Sequence, residues 1–491
     1  MDMNAYDLVD FGVRCDSAIA TGNAEQLHHM INILDSADIR KLEPIAVINI
    51  QYMLGNLYTA LSSASNEKLS TWRTGQFPEH RVSSINLYRK AIQTAHTVNH
   101  PLIAEISTNL ANSISEQGRV VEALAIWDCD FSKTGDASFV SALAKVRTML
   151  WMSHYINDLG HADCYRVEAY KLLSVLDKNI SKNDHPSVYV TVKEDAEMLS
   201  FLEYGQENFQ NTLDWDNSLP AKSYGNPEKR YRLWCLKLGL FCNDLNDLTP
   251  TWIADRDILQ FPNYRVKIGN GPFLAAAFSA IKREYCFARF LAYEGVNGIH
   301  PKYENNHLFV TDSYDGVEFD GSIEKLKTAF RVSFSALDSI ANLLNQYFKC
   351  GANKAQFSSL WIKNNLHSND NPFIDALYWL ACDIQDLSSK SMKNWKAPNP
   401  DSAELRRLRN SIEHGWLRVV SYESERSEEN DDYAHIVSSD NMCRMTIDTL
   451  RLTRAAMQYV CFAVKYEEDR RTQNETDSLC IPLAVPLWKP R

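Results

Sequence analysis

The chain has 491 residues, of which 45% are apolar and 23% charged, and its net charge is −11. That length exceeds a single core and points to two or three domains, and the composition is that of a globular protein able to bury real cores. The negative balance excludes broad, salt-driven adhesion to nucleic acid, which needs many Lys and Arg contacts to phosphate, but it is compatible with a local basic site.

No run approaches the roughly 18 uninterrupted apolar residues of a membrane span, and Met1-Asp2-Met3-Asn4 opens without a basic region followed by an apolar stretch. No membrane association is expected, and the cytoplasm is the expected location. The 11 cysteines agree: they are odd in number, scattered from Cys15 to Cys480, and never form a C-x-x-C pair. Cys235 and Cys242 read as small core residues of an apolar helical run. No metal and no cofactor is expected.

From the amino terminus to about residue 215 the pattern is helix after helix, separated by short polar or glycine breaks. The clearest unit runs Asn109-Leu110-Ala111-Asn112-Ser113-Ile114-Ser115-Glu116-Gln117-Gly118, then Ala123 and Trp127. It follows tetratricopeptide spacing. A second copy, Leu54-Gly55-Asn56-Leu57-Tyr58 with Ser84, Tyr88 and Ala91, is interrupted by Ser62 to Arg81, which reads as a polar loop insertion. Weaker copies fall near Ala18 and Gly22 and near Ile156 and Gly160. Stacked helical hairpins of this kind leave a concave surface, for which the expected partner is a protein or peptide.

Turn formers between Asp214 and Pro227, and again between Asn243 and Gly271, mark a connecting segment. The expected division is a repeat domain at 1–215, an irregular connection at 216–270 and a helical bundle at 271–491. Within the bundle, helices are expected at about Phe273–Glu294, Ile323–Phe348, Asn371–Leu387 and Met442–Glu468, with a fourth in chain order around residue 409. Leu326, Phe330, Phe334, Leu337, Ala341 and Leu344 form the stripe of the second. His307 to Gly321 fits a small hairpin or a loop equally well. The acidic run Glu423 to Asp432 reads as a solvated loop.

The fourth helix carries the chemistry. Asp401 and Glu404 match a capping box, and Leu405, Leu408, Ile412 and Val419 fall at helical spacing on one side. Arg406, Arg409, Asn410, Glu413 and His414 are left for the other directions. Metal-free cleavage of RNA needs a base for the ribose 2′-OH, a cation at the phosphate and an acid for the leaving oxygen. Arginine and histidine are the residue types suited to those roles. On an ideal helix, however, Arg409 and His414 point about 140° apart, so a site must lie between those directions or draw on a second chain.

The residues Leu-Arg-Asn-Ser-Ile-Glu-His at 408–414 resemble the signature of the HEPN superfamily, a helical-bundle group rich in metal-independent ribonucleases. Lys325–Arg331, Asp338–Asn342, Phe357–Trp361 and Asn371–Trp379 extend the resemblance to a bacterial subfamily in which a tetratricopeptide-like array precedes this domain. The resemblance implies an all-α protein that cuts RNA as a homodimer, with both arginine-histidine helices lining one cleft and a role as toxin or defence effector. Arg409 would stabilise the phosphate, His414 would act as acid or base, and Asn410 would orient either. Asp338, Glu413 and Arg406 would support them, Glu413 as the i,i+4 partner of Arg409. Where some toxin members carry a tyrosine that a partner modifies, this chain has Trp416. The alternative is a non-catalytic adaptor, or a nucleotide- or RNA-binding protein, that dimerises through an inactive domain.

Overall fold

The computed structural model describes residues 5–129, 131, 136–183, 185–209, 218–220, 222–267, 271–310, 316–384, 399–421, 434–474 and 480–483. The acidic run Glu423 to Asp432 and the break at 214–217 lie outside them. In chain order the helices are α1 (Ala5–Thr21), α2 (Ala24–Asp35), α3 (Pro44–Ala64), α4 (Glu79–Val98), α5 (Ile103–Glu116), α6 (Val120–Ile126), α7 (Asp136–Ser153), α8 (Leu159–Asn179), α9 (Pro186–Lys193) and α10 (Ala196–Asn208). They continue as α11 (Asn226–Lys237), α12 (Phe273–Val296), α13 (Gly321–Tyr347), α14 (Ser359–Leu366), α15 (Pro372–Ile384), α16 (Ser402–His414) and α17 (Ser439–Asn474). The protein is thus mostly helical, as expected. Among the described residues no helix is long and apolar enough to cross a membrane.

Contacts gather the chain into two compact units. The first holds Met1–His154, Asp163–Thr212 and His367–Ser402; the second holds Tyr155–Ala162, Leu213–Leu366 and Ala403–Arg491.

In the first unit each helix packs mainly on its sequence neighbours: α1 on α2 and α3, α3 on α4, α4 on α5, and α5 on α6. Gly55 of α3 is small because α4 packs its Tyr88 ring there; a Cβ at Gly55 would stand 2.5 Å from the ring edge. The α5–α6 turn needs Gly118, whose φ is +77°.

Two features differ from the sequence expectation. The insertion between α3 and α4 is not a plain polar loop, because its 3-10 turn Leu69–Thr74 buries Trp72 to 1% exposure. That indole stacks on Tyr378 of α15 at 4.0 Å and donates to Asp375 at 2.7 Å. And α15, placed by the sequence in the carboxy-terminal bundle, packs within the first unit.

The anchoring of α15 is ionic as well as apolar. Asp383 is buried, held by Arg119 and, at 2.8 Å, by Arg89. Burial alone would push its carboxyl up, but Arg119 and Arg89 outweigh that and hold it below the usual range. A buried ion pair of this kind fixes position more than it stabilises.

The second unit is built on α12, α13 and α17, which pack on one another. The expected stripe of α13, from Leu326 through Phe330, Phe334, Leu337 and Ala341 to Leu344, is buried throughout. Arg454 of α17 ties the 3-10 turn Asp244–Asp247 to this core through Phe241 O, Asn243 O and Asp247. Cys235 and Cys242 are both buried, in keeping with a packing role.

Small sheets trim the bundle: β1 (Tyr264–Lys267) pairs antiparallel with β4 (Cys480–Leu483), and β2 (Leu417–Val420) pairs parallel with β3 (His435–Ser438). Leu417 therefore starts a strand and Val419 is a buried strand residue, not a continuation of the helical stripe. The β-branched pair Val419-Val420 after Gly415 favours that switch. Between 307 and 321 the described backbone makes one isolated bridge, Val317 to Val420, and residues 311–315 lie outside the description.

Candidate ribonuclease site on helix α16

Helix α16 buries Leu405 and Leu408, which leaves the polar residues along its flanks. At the start of α16 the Asp401 N–H donates to Asn399 Oδ1 at 3.0 Å, and Glu404 faces His435 of β3 at 2.8 Å. The close contact with His435 is the main cause that holds the Glu404 carboxyl below its ordinary range. This pairing is invisible to local sequence patterns because the partners lie far apart in the chain.

Arg409 is the best-held member of the candidate set. Its Nη2 donates to Asp338 Oδ2 of α13 at 3.1 Å, its Cζ sits 4.9 Å from the centre of the Phe334 ring, and its Nε is 3.6 Å from Glu413 Oε1. Asp338 is itself held, since its Oδ1 accepts from Phe357 N–H at 2.9 Å. Guanidinium on an aromatic face with a carboxylate at one edge is a fixed arrangement, and among the described residues Nη1 has no hydrogen-bond partner and could meet an anion.

His414 behaves differently. Its side chain is 78% exposed, and its contact is Glu413, at 3.6 Å. Glu413 thus stands between the two candidate residues, with one oxygen toward each. Asn410 and Arg406 are exposed on α16. The structure therefore brings Arg409, Asp338 and Glu413 together with the edge of His414, and it leaves the imidazole open to solvent. Phe334 belongs to this site too; the sequence presented it only as part of a packing stripe.

One other cluster has ligand-type atoms in reach of one another among the described residues: Cys242, Asp257 and Cys286. There the Asp257 carboxylate accepts two bonds from Arg289, at 2.7 and 2.8 Å, and one from Cys242 N–H at 2.8 Å. A guanidinium already serves as the cation, so the cluster reads as packing. In the first unit a groove of about 650 Å³ is lined by Leu8, Val9, Ile45, Tyr52, Asn56 and others, and it includes none of the candidate residues.

Residues 265–467, which contain Asp338, Arg409 and His414, match the family described as LA2681-like HEPN. This region is a HEPN domain. No curated protein and no solved structure matches the chain. The HEPN domain so delimited contains α12, α13, α14 and α16 and most of α17, and it also contains α15, the helix that packs within the first unit.

Proposed function

We propose that the protein is a metal-independent endoribonuclease whose HEPN domain cleaves RNA by attack of the ribose 2′-OH on the adjacent phosphate, leaving a 2′,3′-cyclic phosphate. The observation that carries this reading is the state of Arg409. It is oriented by Asp338 and Phe334 but not used up by them, which suits a cation awaiting the charge that develops on phosphate oxygens.

His414 supplies the proton-transfer group, and Asn410 a donor to orient it or the phosphate. Because the histidine is open to solvent while Arg409 leans on α13, one chain leaves the cleft half built. A homodimer that sets two copies of α16 face to face completes it and excludes water from the reacting atoms. The helices of the first unit present the surface for a protein or peptide that controls activity, in keeping with a toxin or defence effector.

The test is incubation of the purified protein with RNA in excess chelator. Cleavage with 2′,3′-cyclic ends is expected, and it should disappear with 2′-deoxyribose at the cut site and in Arg409→Ala and His414→Ala. Full activity in both variants would remove the assignment. An adaptor, by contrast, would produce no growth arrest that depends on His414.

A further inference from the structure

The outer face of α16 continues beyond the residues that the proposed cleavage chemistry uses. Arg407, Asn410 and His414 stand at i, i+3 and i+7, within one narrow sector of the helix surface and over about 10 Å of its length. Arg407 is 67% exposed, with Glu404 at 3.4 Å, and His414 is 78% exposed. Two residues beyond His414 comes Trp416, which is 73% exposed.

That exposure is out of character for the residue type. Among the described tryptophans Trp72, Trp127, Trp361 and Trp379 are buried, and Trp151, Trp234 and Trp252 are half-buried. Trp416 alone of these presents its ring to solvent, although its backbone is pinned where its carbonyl accepts the His435 N–H at 2.9 Å. The chain thus spends its most costly apolar surface at a fixed point beside the candidate catalytic histidine.

We propose that Trp416 is a base-stacking platform, and that with Arg407 and Asn410 it forms a track for single-stranded RNA leading to the phosphate at Arg409 and His414. This deepens, and rests on, the ribonuclease reading. The neighbours favour nucleic acid as the partner of the Trp416 ring. Leu405 and Leu408 of α16 face inward, and the exposed helix surface that ends two residues before Trp416 carries a guanidinium, an amide and an imidazole. Aromatic rings interleaved with cations are what unpaired strands need: every base offers a face to stack, and the cations follow the backbone. A base still paired in a duplex has no free face, so the track selects unpaired regions.

The experiment uses the full chain and a fully 2′-O-methylated oligoribonucleotide, which cannot be cleaved, as a single strand and annealed to its complement. Binding is read by fluorescence anisotropy, oligomeric state by sedimentation. Trp416→Leu keeps apolar bulk without the ring and should weaken single-strand binding about tenfold, whereas Trp416→Phe should stay within about threefold of wild type. Duplex binding should be the weaker in wild type and unchanged in both. Indole emission of the wild type should be quenched by the single strand, with that quenching lost in Trp416→Phe. Equal single-strand affinity for wild type and Trp416→Leu overturns the proposal, as does loss of affinity that merely follows dissociation of a dimer. Cleavage of unmodified RNA is scored separately. A wild type that binds the probe but never cuts would sink the nuclease reading and leave the platform standing, and a wild type that cuts but shows no dependence on Trp416 would do the reverse.

Discussion

Arg409 of α16 and Asp338 of α13 meet at 3.1 Å, and the carboxylate that receives the guanidinium is fixed in turn by the Phe357 N–H. The order of support runs from backbone amide to carboxylate to guanidinium. It converts a flexible arginine into one with a set direction, which is the property a phosphate-binding group requires.

Asp338→Asn should therefore separate activity from stability. The pair is 20% and 32% exposed on its two sides, so its loss should cost the fold less than about 1 kcal/mol. The amide oxygen can still accept from Phe357. Misdirection of Arg409 by an ångström, however, is enough to lower cleavage on the order of a hundredfold. Initial rates and thermal melts on the same preparation check this; a variant as active as wild type would detach Asp338 from the site.

Asp383 makes the opposite case, a pair that matters to the fold. Asp383→Asn would leave the Arg119 guanidinium, 1% exposed, without the charge that Arg89 also shares. Breaking a buried pair by removing one partner costs about 3–5 kcal/mol, and the lower end is expected because Glu122 still holds Arg119 at 2.8 Å. The sign of the pH dependence follows from the lowered carboxyl: the stabilisation is complete above the ordinary aspartate range near pH 4 and is lost as pH falls through the lower folded value. Melting temperature against pH should thus converge for wild type and variant only in strong acid.

Much of this was legible in the sequence, and the parts that were not share a cause. The stripe on α13 and the Gly55 and Gly118 positions are local patterns, and they lie where periodicity and turn chemistry place them. The end of α16 is hard to place from sequence because Val419 happens to continue a helical spacing, whereas the parallel pairing with β3 that makes Leu417–Val420 a strand is set by residues after the acidic run. Trp72 was hidden in a polar segment because its partners, Tyr378 and Asp375, come from far along the chain. The role of Asp338 was suggested by resemblance, but its bond to Arg409 is tertiary.

Glu404 and His435 give a milder acid response. The close contact with His435 lowers the Glu404 carboxyl, so its contribution is present above about pH 4.5 and disappears as pH falls through the folded value. Glu404 is partly exposed, and screening keeps the effect below about 1 kcal/mol. Glu404→Gln should therefore melt slightly earlier than wild type at pH 7 and match it near pH 3. A variant that melts at the wild-type temperature at every pH would show that the contact carries no free energy.

Gly55→Ala sets two effects of similar size against each other. Alanine is the better helix former by about 1 kcal/mol, but its Cβ would stand 2.5 Å and 2.8 Å from two ring carbons of Tyr88. The ring cannot simply swing away, because its hydroxyl donates to Asn56 Oδ1 at 2.8 Å and lies 3.2 Å from Thr59 Oγ1, and the residue is 1% exposed. Overpacking of this kind costs about 1–3 kcal/mol, so the net change should be a loss of roughly 1 kcal/mol or more. Tyr88→Leu removes the ring carbons that clash. In a double-mutant cycle, Gly55→Ala should turn from destabilising to neutral or slightly stabilising in the Tyr88→Leu background, leaving a coupling of about 1 kcal/mol or more. Additive effects would mean that the glycine is present for some reason other than the approach of α4.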